Sequence, residues 1–204
     1  MNILKTREIK RFLAIYLAFF LIIPTFQYPG TVPVPPVYGE TNVRYLGHAG
    51  WAIKTPSYFL IFDYWPEGIS HKKPEEATLE KGYINPAEIR DQKVIVFISH
   101  AHEDHFDPVI FEWQKAIPDI IYVFGWQAEQ REKCIYLTQE HQTQKIGGVE
   151  VTAIHHSFDN IPEAAFLVKV DGLVLYHSGD HACSAEKLNP HFKSNIDYLA
   201  GVVK

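Results

Sequence analysis

Val94-Ile-Val-Phe-Ile-Ser-His100-Ala-His102-Glu-Asp104-His105-Phe-Asp107-Pro108 is the stretch whose reading decides the fold of this 204-residue chain. It opens as a continuous apolar run, the pattern of a strand buried on both faces. Four candidate metal ligands then arrive within six residues of each other. On an extended backbone His100, His102 and Asp104 would share one side, because side chains alternate with period two. His105 breaks that parity, so the chain has to turn there, and Asp107-Pro108 supplies a helix start just beyond. The spacing suggests two pairs aimed at neighbouring points, His100 with His102 and Asp104 with His105. Imidazole nitrogen and carboxylate oxygen both suit zinc.

Upstream, residues 1–11 are basic and Phe12–Phe26 is an apolar run interrupted by Pro24. That order is the pattern of a secretory signal or an uncleaved N-terminal anchor over residues 1–26, so an extracytoplasmic location is expected, whether secreted, periplasmic or membrane-tethered. Residues 27–41 carry Pro29, Pro33, Pro35 and Pro36 and read as an extended linker. The folded domain is expected over residues 42–204. Its opening runs Val43–Leu46, Trp51–Lys54 and Tyr58–Phe62 are strand-like and separated by Gly and Pro turn signals, with Asp63 after the last. Residues 64–88 read as a loop with some short helix, and Tyr64, Trp65 and Pro66 offer an apolar wall for a substrate entrance.

Downstream, Pro108–Ala116 reads as a helix with Val109, Ile110 and Trp113 inward, and Gln127–Lys133 as a second helix. Ile120–Phe124, Ile135–Leu137 and the alternating Val149–Ile154 read as strands. Ala165–Val170 and Leu173–His177 flank Asp171-Gly172, a strong hairpin signal. Ile196–Val203 heads into a further strand. Strands early, a helix after the central strand, and strands again suggest a layered α/β sandwich.

Composition narrows the partners. The chain is 47% hydrophobic with a formal charge of −5, which provides a core and disfavours general nucleic-acid binding. Cys134 and Cys183 form no Cys-x-x-Cys pair, so the metal chemistry falls to histidine and carboxylate. Zinc takes four ligands, one of them water in a catalytic site, and the central motif alone leaves two ions under-coordinated. Later strand ends supply candidates. His155-His156 follows Val149–Ile154, with His156 the better placed and His155 open. Asp180, after Gly179, is a tight-turn carboxylate whose two oxygens could bridge two cations. His177 and His181 flank it as supporting groups, whereas His71, His141 and His191 read as surface residues.

Ser99-His100-Ala-His102-Glu-Asp104-His105 resembles the His-x-His-x-Asp-His signature of the metallo-β-lactamase-fold hydrolases. The Tyr45-Leu-Gly-His48-Ala-Gly opening and Phe62-Asp63 look like the branch of L-ascorbate-6-phosphate lactonase-like and N-acyl-phosphatidylethanolamine phospholipase D-like proteins. Tyr176-His-Ser-Gly179-Asp180 is similar to the family's bridging segment. The resemblance implies an αββα sandwich with a dinuclear site, usually two Zn2+, with iron or manganese as other occupants. His100, His102 and His156 would serve one metal, Asp104 and His105 the other, and Asp180 both. It also implies hydrolysis of an ester, lactone or phosphodiester in a small-molecule substrate by metal-activated hydroxide. In such a reaction Asp104 could additionally steer or receive a proton as the leaving group departs. The family has one more histidine after a C-terminal strand, so a truncated domain is expected here. Two other readings stay open: an iron-dependent oxidoreductase on the same fold, and an inactive metal-binding remnant. His48 is read either as a group near the site or as packing of the first hairpin.

Overall fold

The computed structural model describes residues 39–66, 77–158 and 161–180. The expectations for residues 1–26, most of the linker, His71, His181, His191 and the strand Ile196–Val203 lie outside the described residues. Among the described residues no helix is long and apolar enough to cross a membrane.

Among the described residues ten strands form two sheets. The first six are β1 (Asn42–Gly47), β2 (Gly50–Lys54), β3 (Phe59–Phe62), β4 (Val94–Ile98), β5 (Ile120–Phe124) and β6 (Cys134–Tyr136), hydrogen-bonded in that order. The first three run antiparallel as the expected meander, and β3 through β6 run parallel. Phe62 pairs with Phe97, so β3 and β4 end together, and Asp63 donates its N–H to the Phe97 carbonyl at 3.0 Å. The second sheet comprises β7 (Thr143–Ile146), β8 (Val149–Phe158), β9 (Ile161–Val170) and β10 (Leu173–His177), all antiparallel.

The two sheets pack face to face. Leu60, Phe62, Ile95, Phe97 and Val123 meet Val151, Ala153, Ala164, Phe166 and Val168 in one buried layer, with the Phe62 and Phe97 rings stacked at 4.8 Å. The alternate residues of β3, β4 and β5 point the other way, onto Ile84, Ile89, Ile110, Trp113 and Ile117. This two-faced burial explains the unbroken apolar run that marks β4 in the sequence. The outer face of the second sheet buries Ile154, Ala165 and Leu167. The layered sandwich is therefore as expected, but its helical layer on the first sheet consists of 3-10 turns among the described residues.

Several local expectations need correction. Pro108–Lys115 is a 3-10 helix, capped by the Asp107 carboxylate, which accepts the Val109 N–H at 2.8 Å. Its buried residues, Ile110 and Trp113, are three apart, and residues at that spacing eclipse in a three-residue turn. Val109 is largely exposed rather than inward. Residues 127–133 form no helix. The Tyr136 hydroxyl accepts the Arg131 N–H and donates to the Glu129 carbonyl, while the Arg131 guanidinium lies over Phe111 at 4.5 Å, so tertiary contacts override helix propensity. β7 is a strand the periodicity did not reveal, since only Ile146 of its four residues is buried. β8 runs on to Phe158 because its polar end keeps pairing with β9. His155 and His156 therefore lie within a strand and not at its end. Tyr64 is buried, with its hydroxyl accepting the Ile84 N–H at 3.3 Å and its ring on Trp113; it forms no part of an entrance wall.

Candidate metal centre

The carboxyl ends of the parallel strands β3 and β4 deliver Asp63 and the Ser99–His105 segment to one edge of the first sheet, the place where parallel sheets present their ligand groups. The chain turns just past β4, where the His102 carbonyl accepts the N–H groups of His105 and Phe106. That turn carries His105 back under the sheet edge, in agreement with the parity break. The second sheet supplies Asp180. Gly179 sits at φ 56, and a Cβ there would come within 2.5 Å of Glu163 Oε1 and 2.8 Å of Ser99 Cβ, so only glycine lets the loop press this close. The Glu163 carboxylate accepts the Asp180 N–H. Gly125 is crowded in the same way against Ser99 and Ala164, where the Ala164 N–H donates to the Ser99 carbonyl at 3.1 Å.

Two groups of donors result. The ligand atoms of His100, His102 and Asp180 lie within 4.8 Å of one another, and so do those of His48, His105 and Asp180. Asp180 belongs to both groups. Its Oδ2 is 3.7 Å from His100 Nε2 and its Oδ1 is 3.0 Å from His105 Nε2. Asp104 stands beside the second group, with Oδ2 3.1 Å from His48 Nε2. His156 pairs with Glu163 in the β8–β9 ladder, and its side chain lies outside the described residues. His155 joins neither group; its N–H donates to Glu140 at 2.8 Å, and burial pushes its pKa down.

Asp63 is the residue that sequence reasoning under-read. It is fully buried and lies at the end of an apolar strand, which was its one signal. Its Oδ1 accepts the Ser99 N–H at 2.8 Å. Its Oδ2 takes the Ser99 hydroxyl at 2.7 Å, His105 Nδ1 at 2.8 Å and His177 Nε2 at 2.7 Å. Burial alone would raise its pKa, but His177 and His105 outweigh that and hold the carboxyl well below the usual range. A carboxylate on Nδ1 fixes the tautomer of His105 and leaves Nε2 aimed at the cluster, the arrangement that supports metal-ligating histidines.

The Ser99 hydroxyl proton goes to Asp63, so His100 Nδ1, 3.0 Å from that oxygen, must be the donor. His100 Nε2 is then a lone pair, and it faces His102 Nδ1 at 2.9 Å. Burial, followed by the nearby His105, pulls the His100 pKa down to about 4, so the ring is neutral near pH 7. His105 differs: burial lowers its pKa, but the hydrogen bond and charge of Asp63 prevail and raise it. His105 Nε2 is buried without a hydrogen bond, 3.0 Å from Asp180 Oδ1. A buried ring nitrogen beside a carboxylate with no hydrogen bond to it, and a second pair of ring nitrogens face to face, are what a divalent cation would satisfy. The donors present fit one.

Residues 42–204 match the family model described as Beta-lactamase superfamily domain. The chain belongs to that family. Within it, similar curated proteins are the UPF0173 metal-dependent hydrolases of Thermococcus kodakarensis, 24% identical over 68% of this chain and 61% of the relative, and of Carboxydothermus hydrogenoformans, 27% identical over 68% and 62%. The chain thus spans about three-fifths of the length of these relatives. Similar solved structures include Igni18, a metallo hydrolase from Ignicoccus hospitalis, with 21% identity, TM-score 0.47, and 72% of this chain and 64% of that one covered. Another is CmlA, a diiron beta-hydroxylase from Streptomyces venezuelae, with 14% identity, TM-score 0.48, and 79% and 33% covered. As a member of the beta-lactamase superfamily domain family, the chain carries its cluster of histidines and aspartates at the edge of the sandwich.

Proposed function

We propose that this domain is the core of a metal-dependent hydrolase with a dinuclear zinc centre. One observation carries the reading: the two oxygens of Asp180 face two different groups of histidines. His100, His102 and Asp180, with His156 from β8, would hold one cation; Asp104, His105 and Asp180 would hold the other. Bound cations would supply Lewis acidity and make water a nucleophile near neutral pH. The chain's own residues then set the conditions. Asp63 keeps His105 in one tautomer, and Ser99 does the same for His100. Asp104, half exposed at the rim beside His48, would take up or steer a proton as the leaving group departs.

The substrate would be an ester, lactone or phosphodiester, in keeping with the resemblance of the opening segment to the lactonase-like and phospholipase D-like branch. A surface cavity of about 400 Å³ beside the ligand turn is lined by Trp65, Ala101, Glu103, Phe106, Asp107 and Pro108. Trp65 and Phe106 provide apolar contact there, so the group bound on that side would be uncharged or cationic. The test is metal analysis of the purified chain together with turnover of bis(p-nitrophenyl) phosphate and of a simple lactone. Two zinc equivalents with turnover abolished by His102→Ala are expected. Iron with oxygen consumption, or metal without any turnover, would overturn the hydrolase reading.

A further inference from the structure

We infer that His48 is a ligand of the second cation, joining Asp104, His105 and Asp180; this rests on the dinuclear reading above. A ring nitrogen of His48 lies within 4.8 Å of the ligand atoms of His105 and Asp180, and His48 Nε2 is 3.1 Å from Asp104 Oδ2. Donors about 2.0–2.2 Å from one zinc ion sit about 3.3–3.6 Å apart in tetrahedral geometry, and an ion holding all four side chains would take the attacking water as a fifth ligand. Donor atoms within 4.8 Å of one another reach that spacing when the side chains draw in by roughly 1 Å.

The position is built rather than incidental. His48 occupies the turn between β1 and β2 at φ 46, directly after Gly47 at φ 92. A histidine in the left-handed region is strained, and such strain is held where the surroundings over-determine it. Two contacts do so here. The Tyr45 hydroxyl donates to the His48 carbonyl at 3.0 Å. Gly50, closing the same turn, lies so near Asp63 that a Cβ would be 2.8 Å from its carbonyl oxygen. The turn is therefore seated on the residue that orients His105, which references both imidazoles to one point. The rings confirm the convergence: His48 stands edge-on to His105 at 5.1 Å and to Trp65 at 5.7 Å. His48 and Asp104 as a simple hydrogen-bonded pair would account for the 3.1 Å contact but not for the approach to His105 and Asp180.

Equilibrium dialysis with zinc, and cobalt(II) absorption as a second readout, would be compared for wild type, His48→Asn and His48→Gly. Asparagine and glycine both tolerate the left-handed backbone, so folding is retained and a melt of the metal-free proteins verifies it. The expected result is two equivalents in wild type, with the second weakened at least tenfold in both variants, the first unchanged, and the cobalt bands of the second site altered. Two equivalents of unchanged affinity in the variants would overturn the role of His48 while leaving the dinuclear reading intact. Fewer than two equivalents in wild type would overturn both.

Discussion

Glu163 shows how a single buried group can report on the centre. It is 1% exposed, accepts the Asp180 N–H and lies 3.8 Å from His100 Nδ1. Burial, reinforced by the charges of Asp180 and Asp63, pushes its pKa from 4.5 up to about 7. A folded state that holds the proton more tightly gains stability that is fully present below the unfolded pKa and is lost as pH rises through the folded one. In chelator-treated protein the stability of wild type relative to Glu163→Gln should thus fall between pH 5 and pH 8. Thermal melts of the two proteins across that range check it, and parallel pH profiles would show that Glu163 titrates normally. No sequence pattern flags Glu163: one glutamate after Ile161-Pro162 looks like a strand start. Its burial follows from the approach of the Gly179 loop, a contact between residues sixteen positions apart.

At the level of elements, the site depends on two close approaches. One is the β1–β2 turn against Asp63; the other is the Gly179 loop against Ser99 and Glu163. Gly179→Ala should destabilise the fold by more than about 1 kcal/mol, since alanine is disfavoured at positive φ and its Cβ meets two neighbours. It should also weaken both metal equivalents, because Asp180 is common to both groups. Denaturant melts and zinc titration measure the two effects; a variant that melts like wild type and binds two metals would show that the glycine is not required. The β9–β10 hairpin was readable in advance, as Asp171 and Gly172 have φ 47 and 80, the pair of positive values that a two-residue turn demands. The missing helix at residues 127–133 was not, because helix propensity cannot anticipate the Tyr136 hydroxyl that holds that backbone.

For the whole molecule, the centre joins the two sheets at one edge: His100, His102, His105 and Asp63 come from the first, Asp180, His177 and Glu163 from the second. Metal bound there would act as a clamp between layers that otherwise meet through apolar packing. Saturating zinc should raise the melting temperature over chelator-treated protein, with stabilisation near 2.7 kcal/mol when free metal is about 100 times Kd. Calorimetry against zinc concentration checks this, and a melting temperature indifferent to zinc would show that the cluster does not bind it in the folded state. We propose that residues 1–26 act as a secretory signal or membrane anchor, so that fused to a periplasmic reporter they should export it.

By itself the sequence determined the buried central strand, the cluster of histidines and aspartates at its end and the Asp171-Gly172 hairpin, because each is a local pattern of alternation, spacing or turn chemistry. Asp180 was legible for the same reason, as a carboxylate after a turn glycine. Tertiary structure alone decided that Asp63 orients His105 and His177, that Glu163 touches the Asp180 loop, and that His48 faces His105. Those roles arise where segments distant in the chain converge, and the desolvation and charge that define them exist only once the sheets have closed.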